Sequence, residues 1–387
     1  MRPHQLLIAL LALPLAAQHQ ISGRTDDRAL PGTLSVEEIM ATLAEEGAHE
    51  NMTLESLPGL PEDLAAFIPA DNPLTRAKVE LGRQLYFDKR LSRDNTVSCA
   101  TCHDPARGWT DTSPVSTGID GQKGGRSAPT VINHIFGKTQ FWDGRAATLE
   151  EQALGPIENP IEMGFTLDET VKRLSGIKGY TLQFKAIYGN AITADGIGKA
   201  IAAFERTILS GGNKNDYYEA AERFFDWDEE SEDDEEVRRI ANRALDLEAQ
   251  HRMSPSAERG RALFFDKANC SACHVSFDLT DELFHNIGIE PNDPGRSAVT
   301  GVASDKGAFK TPSVRNIALT APYMHDGSLA TLVEVVEHYN KGGTPNDHLS
   351  DKIFPLKLTE QEVQDVACFM EEALTGTITA VEVPRLP

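Results

Sequence analysis

Two pentapeptides, CATCH from Cys99 to His103 and CSACH from Cys270 to His274, contain four of the chain's five cysteines. In each, two thiols can add across the vinyl groups of a haem and the adjoining histidine can ligate the iron. The competing reading is a structural zinc site made of two Cys-x-x-Cys pairs, but such a site has no use for a histidine after each pair. The residues therefore point to two covalently bound c-type haems, with His103 and His274 as proximal iron ligands. Each iron's sixth position then sets its work. Methionine suits an electron carrier, tyrosine occurs in catalytic haems, and an empty position admits peroxide or oxygen.

The elements that must position these boxes repeat. LGRQLYFDK (Leu81 to Lys89) precedes the first box and RGRALFFDK (Arg259 to Lys267) the second, both with apolar residues at helical spacing. Later segments repeat as well, GIGKAIAAFERTIL (Gly196 to Leu209) and EVQDVACFMEEAL (Glu362 to Leu374). Helix, haem box, loop and closing helix is the cytochrome c plan used twice. The expected fold is mostly α, with two cytochrome c-like haem domains in tandem joined by long loops. At 387 residues the chain is long enough for two cores. The expected first domain is 59–225 and the second 245–387. An acidic linker, 226–244, separates them; it contains DWDEESEDDEE (Asp226 to Glu236), a self-repelling block read as a solvated loop. Residues 18–58 form an N-terminal arm, with Ser35 capping a short helix; the arm is either mobile or wrapped on the body.

Residues 1–17 read as a cleaved signal peptide, with Arg2 before an apolar run that ends at small residues, so the protein is expected in the periplasm. No other stretch suggests a transmembrane segment. A formal charge of −22 and a pI near 4.9 argue against nucleic acid as a partner. The fifth cysteine, Cys368, lies in an apolar helical stretch and reads as a buried free thiol.

From about Leu60 to Leu374 the chain resembles the bacterial di-haem cytochrome c peroxidase and MauG superfamily. The likeness is carried by CATCH, SAPTVIN (Ser127 to Asn133), FWDGRAATLEEQALGPIENPIEMG (Phe141 to Gly164), CSACH and KTPSVRNIALTAPYMHDGSLATL (Lys310 to Leu332). The resemblance implies that the first haem is the peroxide site and that the second stores or relays electrons. It places Trp142 between the haems, and Gln152 and Glu162 over the open face of the first. Thr320 and Pro322 match residues whose backbone oxygens hold a calcium ion. Ser127 replaces the asparagine usual at that site, which puts the ion in question.

Two departures separate subfamilies. Peroxidases fed by small cytochromes carry a Gly-His-Gly loop whose histidine caps the first haem at rest. Here that loop is TGIDGQKGG (Thr117 to Gly125) without histidine; the next is His134, beyond the Pro129 turn. Those peroxidases also ligate the second haem with a helix methionine, where this chain has Tyr339 in VVEHYNKGG. The alternative is a packed Tyr339 with Met324 or Met370 as ligand. Both departures match the MauG-like (MbnH-like) subgroup, and the loop GWTD (Gly108 to Asp111) leans the same way.

The implied enzyme is a haem peroxidase that uses hydrogen peroxide to reach a high-valent two-haem state. In this reading Glu162 shuttles a proton, Gln152 orients peroxide and Trp142 links the irons. The state then oxidises an exported protein partner, with tryptophan modification as the precedent. Trp109 and Trp227 are either relays to the surface or packing. Two alternatives stand beside this reading. One is a conventional peroxidase that reduces peroxide with electrons from a small redox protein; the other is a non-catalytic di-haem electron carrier.

Overall fold

The computed structural model describes residues 32–227, 234–289 and 293–387. The signal-peptide expectation falls on residues outside these. The first half contains α1 (Val36–Leu43), α2 (Arg76–Phe87), α3 (Cys99–Cys102), α4 (Leu149–Glu158), α5 (Leu167–Ser175), α6 (Lys178–Tyr188), α7 (Ala194–Glu205), β1 (Ser210–Gly211) and α8 (Lys214–Glu222). The second contains α9 (Glu235–Gln250), α10 (Pro255–Phe264), β2 (Phe284–His285), α11 (Ser297–Thr300), β3 (Phe309–Lys310), α12 (Leu332–Lys341), α13 (Glu360–Ala373) and β4 (Thr377–Ile378). Only two-residue strands occur among the described residues, pairing antiparallel as β1 with β4 and β2 with β3.

The repeat in sequence is a repeat in packing. In the first half α2 crosses α7, and a Cβ on Gly82 would run into the carbonyl of Ala200. In the second half α10 crosses α13, and a Cβ on Gly260 would meet the carbonyl of Asp365. Each repeated helix carries glycine where its partner's backbone comes closest, so an alanine there overpacks the crossing, at a cost of about 1–3 kcal/mol. Aromatic rings close both contacts edge to face, Tyr86 on Phe204 at 5.2 Å and Phe264 on Phe369 at 5.3 Å. Two separate apolar cores follow, one built on Leu81, Leu85, Phe184 and Ile201, the other on Phe264, Val366, Phe369 and Leu374.

Two segments depart from the sequence expectation, and the arm takes one of its two expected dispositions. The described part of the arm wraps the body: Ile39 and Leu43 of α1 pack with Ala48 and Ala77. Of the expected acidic linker, 228–233 lie outside the described residues, and from Glu235 the chain is helical. Asp234 caps that helix, Glu235 and Glu236 sit in its first turn where the helix dipole favours them, and Ala241 and Ala244 are buried beneath it. The chain's last ten residues, expected with the second domain, return to the first. Ser210 pairs with Ile378, Val381 enters the first core, and Arg90 Nη1 donates to the Pro387 carbonyl at 2.9 Å.

The halves are joined by a buried ion pair. Arg315 donates to both oxygens of Asp216 at 2.9 and 2.7 Å, and its Nε donates to the Phe277 carbonyl at 2.7 Å. Among the described residues no helix is long and apolar enough to cross a membrane.

Candidate haem sites

Each box opens onto its own cavity. Cys99, Cys102 and His103 line the first; Cys270, Cys273 and His274 line the second. All four box thiols are free of disulfides, as thioether attachment requires. Burial pushes the Cys99 thiol up and that of Cys270 to about 12. His274 Nδ1 lies 2.9 Å from the Leu279 carbonyl, which fixes the tautomer and leaves Nε2 as the metal-binding nitrogen. His103 Nδ1 faces the Trp109 carbonyl in the same sense at 3.4 Å. Burial lowers the pKa of both imidazoles, favouring the neutral form that binds iron. Paired thiols, neutral histidine and a mostly apolar lining fit a c-type haem in each cavity.

The first cavity gathers the polar residues expected there. Gln152 projects from α4, and Glu162 follows in the turn after it; both lie on the wall. Burial raises the Glu162 pKa, against the opposing pull of Arg145 and a 2.6 Å hydrogen bond from Asn159 Nδ2. The histidine-free loop docks on this turn, with Ile119 N donating to the Glu162 carbonyl at 2.9 Å and Gln122 Nε2 to that of Pro160 at 3.2 Å. Gly118, Gly124 and Gly125 of the loop reach the cavity wall.

Trp142 lies on the wall of both cavities. Its Nε1 donates to the Ser127 carbonyl at 2.9 Å. His134 also borders both cavities, bonded through Nδ1 to Gln140 Oε1 at 2.7 Å and pushed down to about 4 by burial, which keeps it neutral.

Tyr339 of α12 lines the second cavity with His274, and burial raises its pKa. Met324 and Met370 line the same cavity, so proximity alone does not choose among the three. Their places in the fold differ. Thr148 caps α4 and Thr331 caps α12, each accepting from the third residue on. Counted from these caps, Pro156 in the first half occupies the position of Tyr339 in the second. Met324, at positive φ, repeats Phe141, also at positive φ. Met370 belongs to the packed second core.

Thr320 and Pro322 line the second cavity near Ser127, whose carbonyl already accepts from Trp142. Among the described residues one group of three His, Cys, Asp or Glu ligand atoms lies close together, Cys273, Asp281 and His285.

Trp109 is 1 % exposed, packed on Tyr86 at 5.8 Å, so it does not itself reach the surface. Trp227 packs edge to face on Phe224 at 6.1 Å. Cys368 is half-buried, where a fully buried thiol was expected; its helix turns it toward Ser254, 3.8 Å away. Sequence reasoning did not single out Arg145, His134, Pro156 or Glu205, all on the first cavity's wall. For Arg145 the FWDGRA motif was a signal, and for Pro156 the register of the two caps.

Two helical halves, each with a haem box opening on its own cavity and with one indole common to both walls, define a di-haem c-type protein. The sequence profile described as di-haem cytochrome c peroxidase matches residues 76–223, and that of cytochrome c matches 257–373. The methylamine utilization protein MauG of Methylorubrum extorquens is 40% identical over 82% of this chain and 84% of its own. Cytochrome c551 peroxidase of Pseudomonas aeruginosa is 33% identical over 81% of this chain and 83% of its own. A solved MauG-like protein associated with microbial copper homeostasis superposes with a TM-score of 0.66 at 33% identity, covering 80% of this chain and 92% of that one. The chain belongs to the di-haem cytochrome c peroxidase family, which includes the MauG-like proteins, and is a haem peroxidase with c-type haem.

Proposed function

We propose that this peroxidase spends the oxidising power of hydrogen peroxide on a partner protein rather than drawing electrons from a small cytochrome. The observation that carries this reading is the relation between Pro156 and Tyr339. At equivalent helix positions, the first half has a residue that cannot ligate iron and the second has a phenol facing the cavity of His274. With no histidine in the Thr117–Gly125 loop to cap it, a haem held by His103 would be open to peroxide at rest.

When bound, the haems supply the redox chemistry, cleaving peroxide and holding its two oxidising equivalents. The chain's own residues do the rest. Glu162 takes the proton from one peroxide oxygen and returns it to the other; its raised proton affinity suits both halves of that transfer. Gln152 orients peroxide by hydrogen bonding. Trp142 gives electrons a path between the cavities. Tyr339, a hard oxygen donor, would hold the second haem and suit an electron-poor iron, where methionine would favour the reduced state. The partner is an exported protein met in the periplasm, after removal of residues 1–17.

The conventional cytochrome c peroxidase reading is favoured by one observation, the two methionines in the second cavity. Turnover separates the readings. The ferric holoprotein is mixed with peroxide, either with a reduced small cytochrome or with candidate exported proteins, and both electron consumption and protein modification are followed. Rapid cytochrome oxidation without protein modification sinks the proposal.

A further inference from the structure

The first cavity holds a carboxyl that none of these roles uses. Glu205, the last residue of α7, is 4 % exposed and lies on the wall that carries Cys99, Cys102 and His103. Its Oε2 has no hydrogen-bond partner among the described residues. Arg206, the adjacent cation, is committed elsewhere. Its Nη1 and Nη2 donate to the two oxygens of Glu150 at 2.6 and 3.0 Å, and Asn72 Nδ2 donates to the same carboxylate at 2.6 Å.

A buried carboxylate without a partner is costly, so such a group holds its proton instead. Burial pushes Glu205 up to about 8, with Arg206 pulling down and Glu150 pushing up. The other groups that sense its charge are Tyr86 of α2 and Cys99 of the haem box. Glu162 and Arg145 line the same cavity from the α4 side.

A protonated acid beside a redox centre responds to that centre's charge. An electron added to the iron favours proton uptake, and an electron withdrawn favours release, because charges interact strongly across a poorly polarisable gap. We propose that Glu205 is the protonation site linked to the redox state of the first haem. Above the pH at which it ionises beside the oxidised iron, its carboxylate takes one proton from solvent as the iron gains one electron, and the carboxyl returns it to solvent when that electron leaves. Glu205 thereby offsets charge at the first haem, whereas Glu162 handles the protons of peroxide. It can do so whichever partner is oxidised, provided that haem occupies the first cavity.

The test is a spectroelectrochemical titration of the first haem across pH in the holoprotein, its Glu205→Gln variant and its Glu162→Gln variant. The expected result is a midpoint potential that falls with rising pH in the wild type and in E162Q, and that stays flat in E205Q. A protonated-carboxyl band in the wild-type redox-difference infrared spectrum should be missing from E205Q. If E205Q incorporates haem poorly, Glu205→Asp should retain a pH dependence displaced along the pH axis. An unchanged pH slope in E205Q overturns the assignment, as does a slope lost in E162Q but kept in E205Q; for the aspartate variant, an undisplaced slope does the same.

Discussion

The backbone carbonyl of Trp142, in the first half, accepts a hydrogen bond from the amide of Lys310, in the second, at 2.8 Å. Arg296 of the second half reinforces the joint by donating to the carbonyls of Asp143 and Gly144 at 2.8 Å. The indole that borders both cavities is thus held from both sides. Its N–H points at a carbonyl, which accepts a hydrogen bond but is no base to take the proton away.

Replacing Trp142 by phenylalanine should therefore preserve packing and peroxide binding but slow electron movement between the haems. A fall of about tenfold or more, equivalent to 1.4 kcal/mol on the barrier, is expected in stopped-flow traces of the second haem. An unchanged rate would make Trp142 a core aromatic.

The Tyr339→Met variant should shift the second haem's spectrum and raise its potential, because a soft neutral sulfur favours the reduced iron. Tyr339→Phe should also change the spectrum. If neither does while Met324→Leu or Met370→Leu does, one of the methionines is the ligand.

For Glu162→Gln, peroxide cleavage should slow by roughly 10²–10⁴-fold, the usual contribution of a positioned acid–base group. The direction of its pKa shift adds a pH signature. The group must be ionised to take the first proton, so the wild-type rate should decline on the acid side at a pH above the ordinary glutamate range. That limb should vanish in the variant.

Asp216→Asn removes one member of a buried pair whose side chains are 4% and 2% exposed. Losing its close partner leaves Arg315 only the more distant Asp278, 4.0 Å away, and should cost about 3–5 kcal/mol, seen as a lower urea midpoint of the holoprotein. A loss under about 1 kcal/mol would show that the pair acts as if it were at the surface.

Asp278, beside the same joint, is raised to about 7 by burial, despite Arg315 and a hydrogen bond from Asn133. Its folded pKa lies above the ordinary aspartate value of about 3.9, so the folded state binds the proton more tightly. The stability this contributes is complete below about pH 4 and is lost as pH rises through about 7. Asp278→Asn should remove that decline, as urea midpoints measured across the interval would show.

The haem boxes were legible because five adjacent residues carry the whole signal. So was the twofold plan, since LGRQLYFDK and RGRALFFDK each keep their glycine at a helix crossing. The return of the last ten residues to the first core was not legible. Short apolar residues such as Val381 carry no record of which core they enter. Helix α9 was masked by the acids ahead of it, which read as a linker although two of them occupy a favourable first turn. At the site, Gln152 and Glu162 came from resemblance, and the structure brings them to the wall with His103. Glu205 stayed hidden because its isolation depends on Glu150 capturing Arg206 across 56 positions of sequence.

In the proposed function the first haem would be open at rest and both irons would share the oxidising equivalents of peroxide. Ferric holoprotein frozen before and after one equivalent of peroxide, and examined by Mössbauer and EPR spectroscopy, tests it directly. The expected result is that both irons move above the ferric state without prior reduction. A protein that ignores peroxide until its second haem is reduced would contradict the claim and make Tyr339 a packing residue.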